Sequence, residues 1–109
     1  MTDEPSETND ARLTVDAICA VLAHHRRREL VRYLSVDDPV TVTGAATALT
    51  EAEDAVERTA IELHHLHIPK LAAHDVVDYD RGRDRLVLTE RAAQLRPYLE
   101  LESEYSEEE

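Results

Sequence analysis

Apolar residues in the first third of the chain recur at helical spacing. In TVDAICAVL, residues 14–22, the apolar positions share one face, and Thr14 can cap the helix. The stretch HHRRRELVRYL, residues 24–34, continues the helical pattern. The sequence therefore predicts either two helices or one helix with a bend near residues 23–24, ending before Asp37-Asp38-Pro39.

The middle of the chain predicts a short strand and two further helices. The run VTV at residues 40–42 is β-branched and suits a small edge strand. Thr43 can begin a short helix. Two overlapping pairs, Thr50 with Glu53 and Asp54 with Glu57, each fit a reciprocal capping box that would start a longer helix running to about residue 74, and Asp54 is favoured because it leaves a turn between the helices.

The apolar pattern changes from helical spacing to alternation after residue 75. Residues 76–80 and 85–88 predict two strands. The residues between them, Arg-Gly-Arg-Asp, predict a hairpin loop in which Gly82 is available for a positive φ. The run at 40–42 is expected to pair with this hairpin as a third strand.

The order of the elements predicts the fold class. Thr89 can cap a last helix, which Pro97 ends or restarts. Two helices, a small strand, two helices, a hairpin and a last helix indicate a winged helix-turn-helix, mainly α with a small β-hairpin wing. This domain is expected over residues 14–99, between a disordered acidic arm at 1–13 and a disordered acidic tail at 100–109.

Acidic charge is concentrated at the two ends of the 109-residue chain. It has 24 acidic and 12 basic side chains, a formal net charge of −12. Residues 1–10 and 100–109 together hold ten acids and no base, which leaves 14 acids against 12 bases between them. Eleven bases are arginine and one is lysine. This composition favours a protein of a halophilic archaeon, because carboxylates keep a surface hydrated in concentrated salt; an ordinary acidic cytosolic protein is the alternative.

The sequence predicts a cytoplasmic protein that does not associate with membranes. A single cysteine, Cys19, cannot form a disulfide within the chain, and its place on an apolar helix face is typical of a core residue. The N-terminal stretch is acidic and polar, unlike a secretory signal. No apolar run approaches the roughly 18 residues that a membrane span needs.

Two segments resemble a family of haloarchaeal winged-helix proteins. The stretch HHLHIPKLAAHDVVDYD, residues 64–80, is similar to that family's HxHLPKLxxxGVVxYD segment, and HHRRRELVRYL is similar to its first long helix. The resemblance covers about residues 15–96 and implies a winged-helix fold and a transcription-regulator role, with no catalytic residue. Asp75 stands where such proteins commonly have glycine, at a helix end that favours a left-handed conformation.

In a winged helix, the second helix of the helix-turn-helix enters the major groove of DNA and the wing touches the backbone or minor groove. The candidate DNA-binding residues on the outward face of this helix are Arg58, Thr59 and His65. The candidates on the wing are Arg81, Arg83 and Arg85. A candidate second basic site consists of Arg26, Arg27 and Arg28.

Two features of the sequence oppose DNA binding. Glu62 lies in the middle of the same helix face, where phosphates would repel it. In molar salt the Debye length is about 3 Å, so attraction to phosphates contributes little there. Two hypotheses therefore stay open: a sequence-specific regulator that binds double-stranded DNA as a homodimer, and a winged-helix module that binds another protein instead of DNA.

The histidines of the long predicted helix have two interpretations. Helical spacing places His64 and His67 in its apolar stripe, which favours packing with hydrogen-bonded ring nitrogens. The alternative is a metal pair whose further ligands would come from His24, His25, His74 or Cys19. The sequence contains no Gly-rich phosphate loop, nucleophile elbow or HExxH motif, so we expect no catalytic residue, no cofactor and no metal ligand.

Overall fold

The computed structural model describes the backbone of residues 12–107 and the side chains of residues 12–101. Residues 1–11 of the arm predicted over residues 1–13 lie outside this range, whereas Leu13 is partly buried and packs against the core. The helices are α1 Val15–Val21, α2 His25–Tyr33, α3 Val42–Leu49, α4 Val56–Glu62, α5 Ile68–Ala73 and α6 Arg96–Glu107. The strands are β1 Val77–Asp80 and β2 Arg85–Leu88.

The predicted fold class is confirmed. The helix-turn-helix consists of α3 and the long helix that spans residues 56–73. A two-stranded antiparallel hairpin follows it, which is the arrangement of a winged helix. One hydrophobic core joins these elements, and its fully buried leucines come from α2, the long helix, the hairpin and the C-terminal segment: Leu30, Leu63, Leu71, Leu86 and Leu95. Within residues 12–107, no helix has both the length and the apolar composition to cross a membrane.

The first helical region consists of two helices, α1 and α2. Thr14 caps α1, since its side chain accepts a hydrogen bond from the Ala17 N–H, as the sequence predicts. The chain then turns, and His24 has an extended backbone and caps α2 by accepting from the Arg26 N–H through Nδ1, with 3.1 Å between the atoms. Cys19 is exposed, so the expectation of a core cysteine is wrong.

The third strand is reduced to a single bridge. Val40 exchanges both backbone hydrogen bonds with Leu86, at N–O distances of 3.0 and 2.8 Å. Helix α3 then begins at Val42, capped by Thr41 instead of Thr43. Val42 is 3% exposed, so its burial as the first helical residue outweighs the β propensity of the run.

The long helix, residues 56–73, comprises α4, a π-helical segment at Leu63–His67, and α5. A 3₁₀ turn at Glu53–Ala55 precedes it, and Ala55 gives α4 no side-chain cap, so the predicted capping box is absent. Asp54 lies within that turn, where it cannot serve as N-cap. In the π segment the Ile68 N–H donates to the Leu63 carbonyl, five residues earlier. Pro69, at the start of α5, has no N–H for the regular helical ladder, which explains the wider turn before it.

Asp75 ends the long helix in the left-handed conformation, with φ of 62°. The Asp75 N–H donates to the Ala72 carbonyl at 2.9 Å, and the Val76 N–H donates to the Leu71 carbonyl at 3.0 Å. These are the two hydrogen bonds of a Schellman motif. The aspartate therefore performs the turn for which glycine is commonly used.

The wing has the predicted strands but a different turn conformation. Val77 pairs with Leu88 at one end of the hairpin, and Asp80 pairs with Arg85 at the other. Gly82 does not have a positive φ; Asp84 does, at 53°. The left-handed residue is thus Asp84, the last residue of the loop. Its carboxylate points from the wing toward Val42 and Tyr79.

The C-terminal segment is a 3₁₀ helix, Glu90–Leu95, followed by α6. Thr89 does not cap it: the Thr89 hydroxyl donates instead to the Asp75 carbonyl, at 2.6 Å. Pro97 is the second residue of α6, a position where the missing N–H breaks no helical bond, so the predicted restart is confirmed. The backbone of residues 100–107 is helical where the sequence predicts a disordered tail, in keeping with the good helix propensity of glutamate and leucine.

Candidate nucleic-acid interface

The outward face of the long helix is a mixed surface of polar and apolar side chains. Arg58, Glu62 and His65 are exposed, as the helical wheel predicts. Ile61 and Leu66 of the same helix are each 53% exposed. The sequence-based prediction did not include Ile61 on this surface, although the residue lies outside the apolar stripe of the helix.

Thr59, a predicted DNA-binding residue, does not belong to this surface. It is 4% exposed, so the prediction that its side chain contacts DNA is wrong. Thr59 lies one helical turn before Leu63, which is fully buried, so the two side chains share the core face of the helix. The predicted helix contacts are thereby reduced to Arg58 and His65.

The wing presents three exposed arginines, Arg81, Arg83 and Arg85. Their guanidinium groups make no hydrogen bond or ion pair with any residue that the structure describes. The acids beside them are engaged elsewhere: the Asp80 carboxylate accepts from the Arg83 backbone N–H at 3.3 Å, and Asp84 faces inward. The hairpin as a whole carries no net charge, because Asp78, Asp80 and Asp84 balance the three arginines, but the guanidinium donors near its tip are not engaged among the described residues.

Asp84 fastens the wing to the helix-turn-helix. Its Oδ1 atom accepts from the Val42 N–H at the start of α3 and from the Tyr79 hydroxyl, both at 3.1 Å. A carboxylate at a helix N-terminus is favoured by the helix dipole. Burial raises the pKa of Tyr79, and the hydrogen bond to Asp84 raises it further, so the hydroxyl stays protonated as a donor.

Tyr79 also connects the wing to the long helix. Its hydroxyl lies 3.3 Å from Nε2 of His64, and the two rings meet edge to face with 5.6 Å between centroids. His64 thus packs with a hydrogen-bonded ring nitrogen, as predicted. Because Tyr79 holds β1 against the middle of the long helix in this way, the wing lies beside that helix.

The carboxylate of Asp84 is expected to matter for stability. The substitution D84A removes the acceptor for two hydrogen bonds and places alanine at a positive φ, so the free energy of unfolding should fall by about 1–3 kcal/mol. The D84N variant keeps an acceptor oxygen and tolerates this backbone conformation, and it should lose less than half as much. Urea denaturation of both variants measures the difference; equal losses in the two would contradict this role of Asp84.

The candidate second basic site, Arg26, Arg27 and Arg28, is not a free basic surface. Arg26 Nη1 donates to the Leu49 carbonyl at 2.8 Å and also pairs with Glu29 at 3.0 Å. Arg28 Nη1 donates to the Leu22 carbonyl at 2.7 Å. These carbonyls lie at the C-terminal ends of α3 and α1, where the helix leaves them without intrahelical donors.

Arg27 is the most deeply buried of the three, at 8% exposure. Its Nε atom donates to the Val21 carbonyl at 2.8 Å and Nη2 donates to the Ala20 carbonyl at 3.1 Å. Its Nη1 atom donates to Nδ1 of His67 at 3.1 Å. One guanidinium group therefore ties the end of α1 to the long helix, and the prediction that this triplet binds DNA is wrong for Arg27.

His67 confirms the packing interpretation of the histidines. It is 1% exposed, and because Arg27 can only donate, its Nδ1 is the acceptor and the proton is on Nε2. Burial, together with smaller contributions from the nearby His24 and Arg27, lowers the pKa of His67 to about 4. Its Nε2 atom has no hydrogen-bond partner among the described residues, and no three potential metal ligands among them are grouped to hold an ion.

The buried neutral His67 predicts a pH-dependent stability. In the unfolded chain a histidine has a pKa of about 6.5, so between that value and about 4 the unfolded state binds more protons and acidification favours unfolding. Lowering the pH from about 7.5 to about 5 should cost about 2 kcal/mol through this residue. The comparison is urea denaturation of the protein and of H67N, which keeps an acceptor near the Nδ1 position but does not titrate. Parallel pH profiles for the two proteins would show that His67 is not responsible.

No curated protein and no solved structure matches the chain significantly. A protein-family model described as "Domain of unknown function (DUF7344)" matches residues 19–87, from within α1 to β2. The match covers more than half of the chain and includes the helix-turn-helix and nearly all of the wing. The chain therefore belongs to the DUF7344 family.

Proposed function

We propose that this domain is a sequence-specific DNA-binding regulator of transcription that binds double-stranded DNA as a homodimer and has no catalytic activity. The observation that carries this proposal is the set of three exposed, unpaired arginines on a wing held beside the long helix. In winged-helix proteins that bind DNA, these two elements meet the groove and the backbone of the duplex.

The use of arginine elsewhere in the domain strengthens the argument. Arg26, Arg27 and Arg28 donate to backbone carbonyls, so their charge serves the fold. The wing arginines have no such engagement among the described residues. Exposed guanidinium groups without carboxylate partners suit phosphate oxygens, to which arginine donates in a bidentate manner.

The face of the long helix supplies groups that distinguish bases. Arg58 can donate to the O6 and N7 atoms of guanine, and His65 can donate to an acceptor on a base edge. Glu62 can accept from the N4 amino group of cytosine, which gives its charge a favourable partner in the groove. Recognition through base edges also suits a cytoplasmic protein of a halophilic archaeon, because high salt weakens contacts to phosphates more than contacts to bases.

The homodimer is supported by apolar surface away from the wing. An open groove of about 960 Å³ lies between α2 and the C-terminal segment and is lined by the apolar side chains Val31, Leu34, Val36, Leu88 and Leu99. Tyr33, Tyr98 and Leu101 are exposed on α2 and α6, each at 41% or more. A symmetric pair would present two long helices to two half-sites.

Chromatin immunoprecipitation from the source organism at its native salt tests the proposed function. We expect sharp peaks that share a sequence with two related half-sites, and no such peaks from a strain that lacks the gene. The alternative function, a winged-helix module that binds a protein, is favoured by Glu62 on the outward helix face. An absence of peaks together with one stoichiometric co-purifying protein would support that alternative.

A further inference from the structure

The outward face of the long helix carries two apolar side chains that the core does not use. Ile61 and Leu66 are each 53% exposed, whereas Thr59, Leu63 and His67 of the same helix are buried. Exposing two large aliphatic groups to water brings no benefit to folding. Their position on the face that carries Arg58 and His65 points to a role in binding.

We propose that Ile61 and Leu66 contact the 5-methyl groups of thymines in the major groove, so that the bound sequence has A·T pairs at the positions that this helix reads. The inference rests on the proposed DNA-binding function and specifies its ligand. The thymine methyl group is the apolar group that base pairs present in the major groove, and aliphatic side chains recognise it by contact.

The surroundings of the two side chains favour a duplex over an apolar protein partner. Exposed Arg58, Glu62 and His65 are interspersed with Ile61 and Leu66 along the helix, so the apolar area is divided and does not form one large patch. The unpaired arginines of the adjacent wing complement a polyanion. A groove that offers methyl groups among donors and acceptors, with phosphates at its edges, matches this mixture.

Apolar contacts to thymine methyl groups become more important for binding as the ionic strength rises. Attraction between arginine and phosphate weakens as salt is added, because releasing counterions into a more concentrated solution gains less free energy. Apolar contact is not screened in this way, and salts that are excluded from protein surfaces strengthen it. Thymine contacts would therefore keep sequence recognition effective in concentrated salt, where the wing contributes less.

The test begins with selection of sequences from a random duplex library by the full chain. Each thymine of the selected site is then replaced by uracil, which lacks only the methyl group. Loss of one contacted methyl should weaken binding about fourfold, and loss of two should weaken it more than tenfold. These losses should persist when the measurement is repeated in molar salt.

Variants of the protein identify the side chains responsible. I61A/L66A should bind the thymine duplex more than tenfold more weakly than the unaltered protein and should no longer distinguish it from the uracil duplex. V15A, which truncates an apolar residue that is 64% exposed on α1, is the matched control and should keep both the affinity and the distinction. Urea denaturation of each variant verifies that it is folded.

The outcomes separate this inference from the proposed function. A selected sequence that binds equally well with uracil throughout would overturn the thymine contact and leave DNA binding intact. Failure to select any sequence would remove the proposed function, and the inference with it. Retained discrimination between thymine and uracil in I61A/L66A would assign the methyl contact to other residues and overturn the inference.

Discussion

The double charge reversal R81E/R83E is expected to weaken binding to the selected duplex by about a hundredfold or more. Each change removes a donor to phosphate and places a carboxylate against the backbone of the duplex. Both arginines are exposed and make no hydrogen bond through the guanidinium group among the described residues, so the free energy of unfolding should change by less than about 0.5 kcal/mol. Fluorescence anisotropy with labelled duplex measures the affinity, and urea denaturation measures the stability.

The control for this prediction is R12E, compared with the single reversal R83E, which makes the same change in net charge. Arg12 precedes α1 and is exposed. R12E should bind within about threefold of the unaltered protein, since its charge does not lie on the wing or on the long helix. The plot of log affinity against log salt should become shallower by about two for R81E/R83E. Equal losses in R12E and R83E would attribute the effect to net charge and contradict a wing contact.

Replacing Arg27 with methionine should lower the free energy of unfolding by about 3–5 kcal/mol. Methionine fills part of the space of the stem but donates nothing, so the Val21 carbonyl and the Nδ1 atom of His67 lose their donor inside the protein. The Ala20 carbonyl keeps the long hydrogen bond from the Ala23 N–H, at 3.5 Å. The expected loss is a large fraction of the roughly 5–15 kcal/mol that stabilise a typical domain.

Two variants give this prediction its reference points. R27K keeps the charge but cannot reproduce the three-way donation of the guanidinium, and its stability should lie between those of R27M and the unaltered protein. R85M changes an exposed arginine in the same chemical way and should alter the stability by less than about 0.5 kcal/mol. Urea denaturation compares all three. An R27M protein as stable as R85M would mean that the carbonyls at the end of α1 accept from water instead.

The sequence predicts the architecture well because the architecture depends on apolar periodicity. The stripe that includes Leu63 and Leu71, the alternation in the two wing strands and the cap at Thr14 are local patterns, and the structure confirms each of them. Elements of this kind are fixed by neighbours within a few residues.

Some of the errors concern residues whose surroundings are distant in the chain. Arg27 donates a hydrogen bond to His67, forty residues later in the chain. Asp84 accepts one from the N–H of Val42, forty-two residues earlier. The sequence of three consecutive arginines does not indicate whether their guanidinium groups donate to phosphates of DNA or to backbone carbonyls of the protein. The conformation at Asp84 illustrates the point: glycine has the freer backbone, but the aspartate adopts the positive φ that brings its carboxylate to Val42 and Tyr79.

The candidate site is predicted in part. Arg58, His65 and the wing arginines are exposed as expected, because polar residues outside an apolar stripe face solvent. Thr59 is lost from the site because a threonine can present its methyl group to the core. A regular helical wheel cannot predict the π-helical segment, because it assigns the same rotation to every residue.

The π-helical segment has a consequence for how this helix tolerates a change in length. A π-helical turn holds one more residue than an α-helical turn, so deleting one residue within Leu63–His67 would restore the regular α-helical ladder with little rotation of α4 against α5. The side chains that α4 and α5 offer to a ligand would then keep their relative directions. This segment is therefore a place where the helix can lose one codon without losing its alignment with the wing.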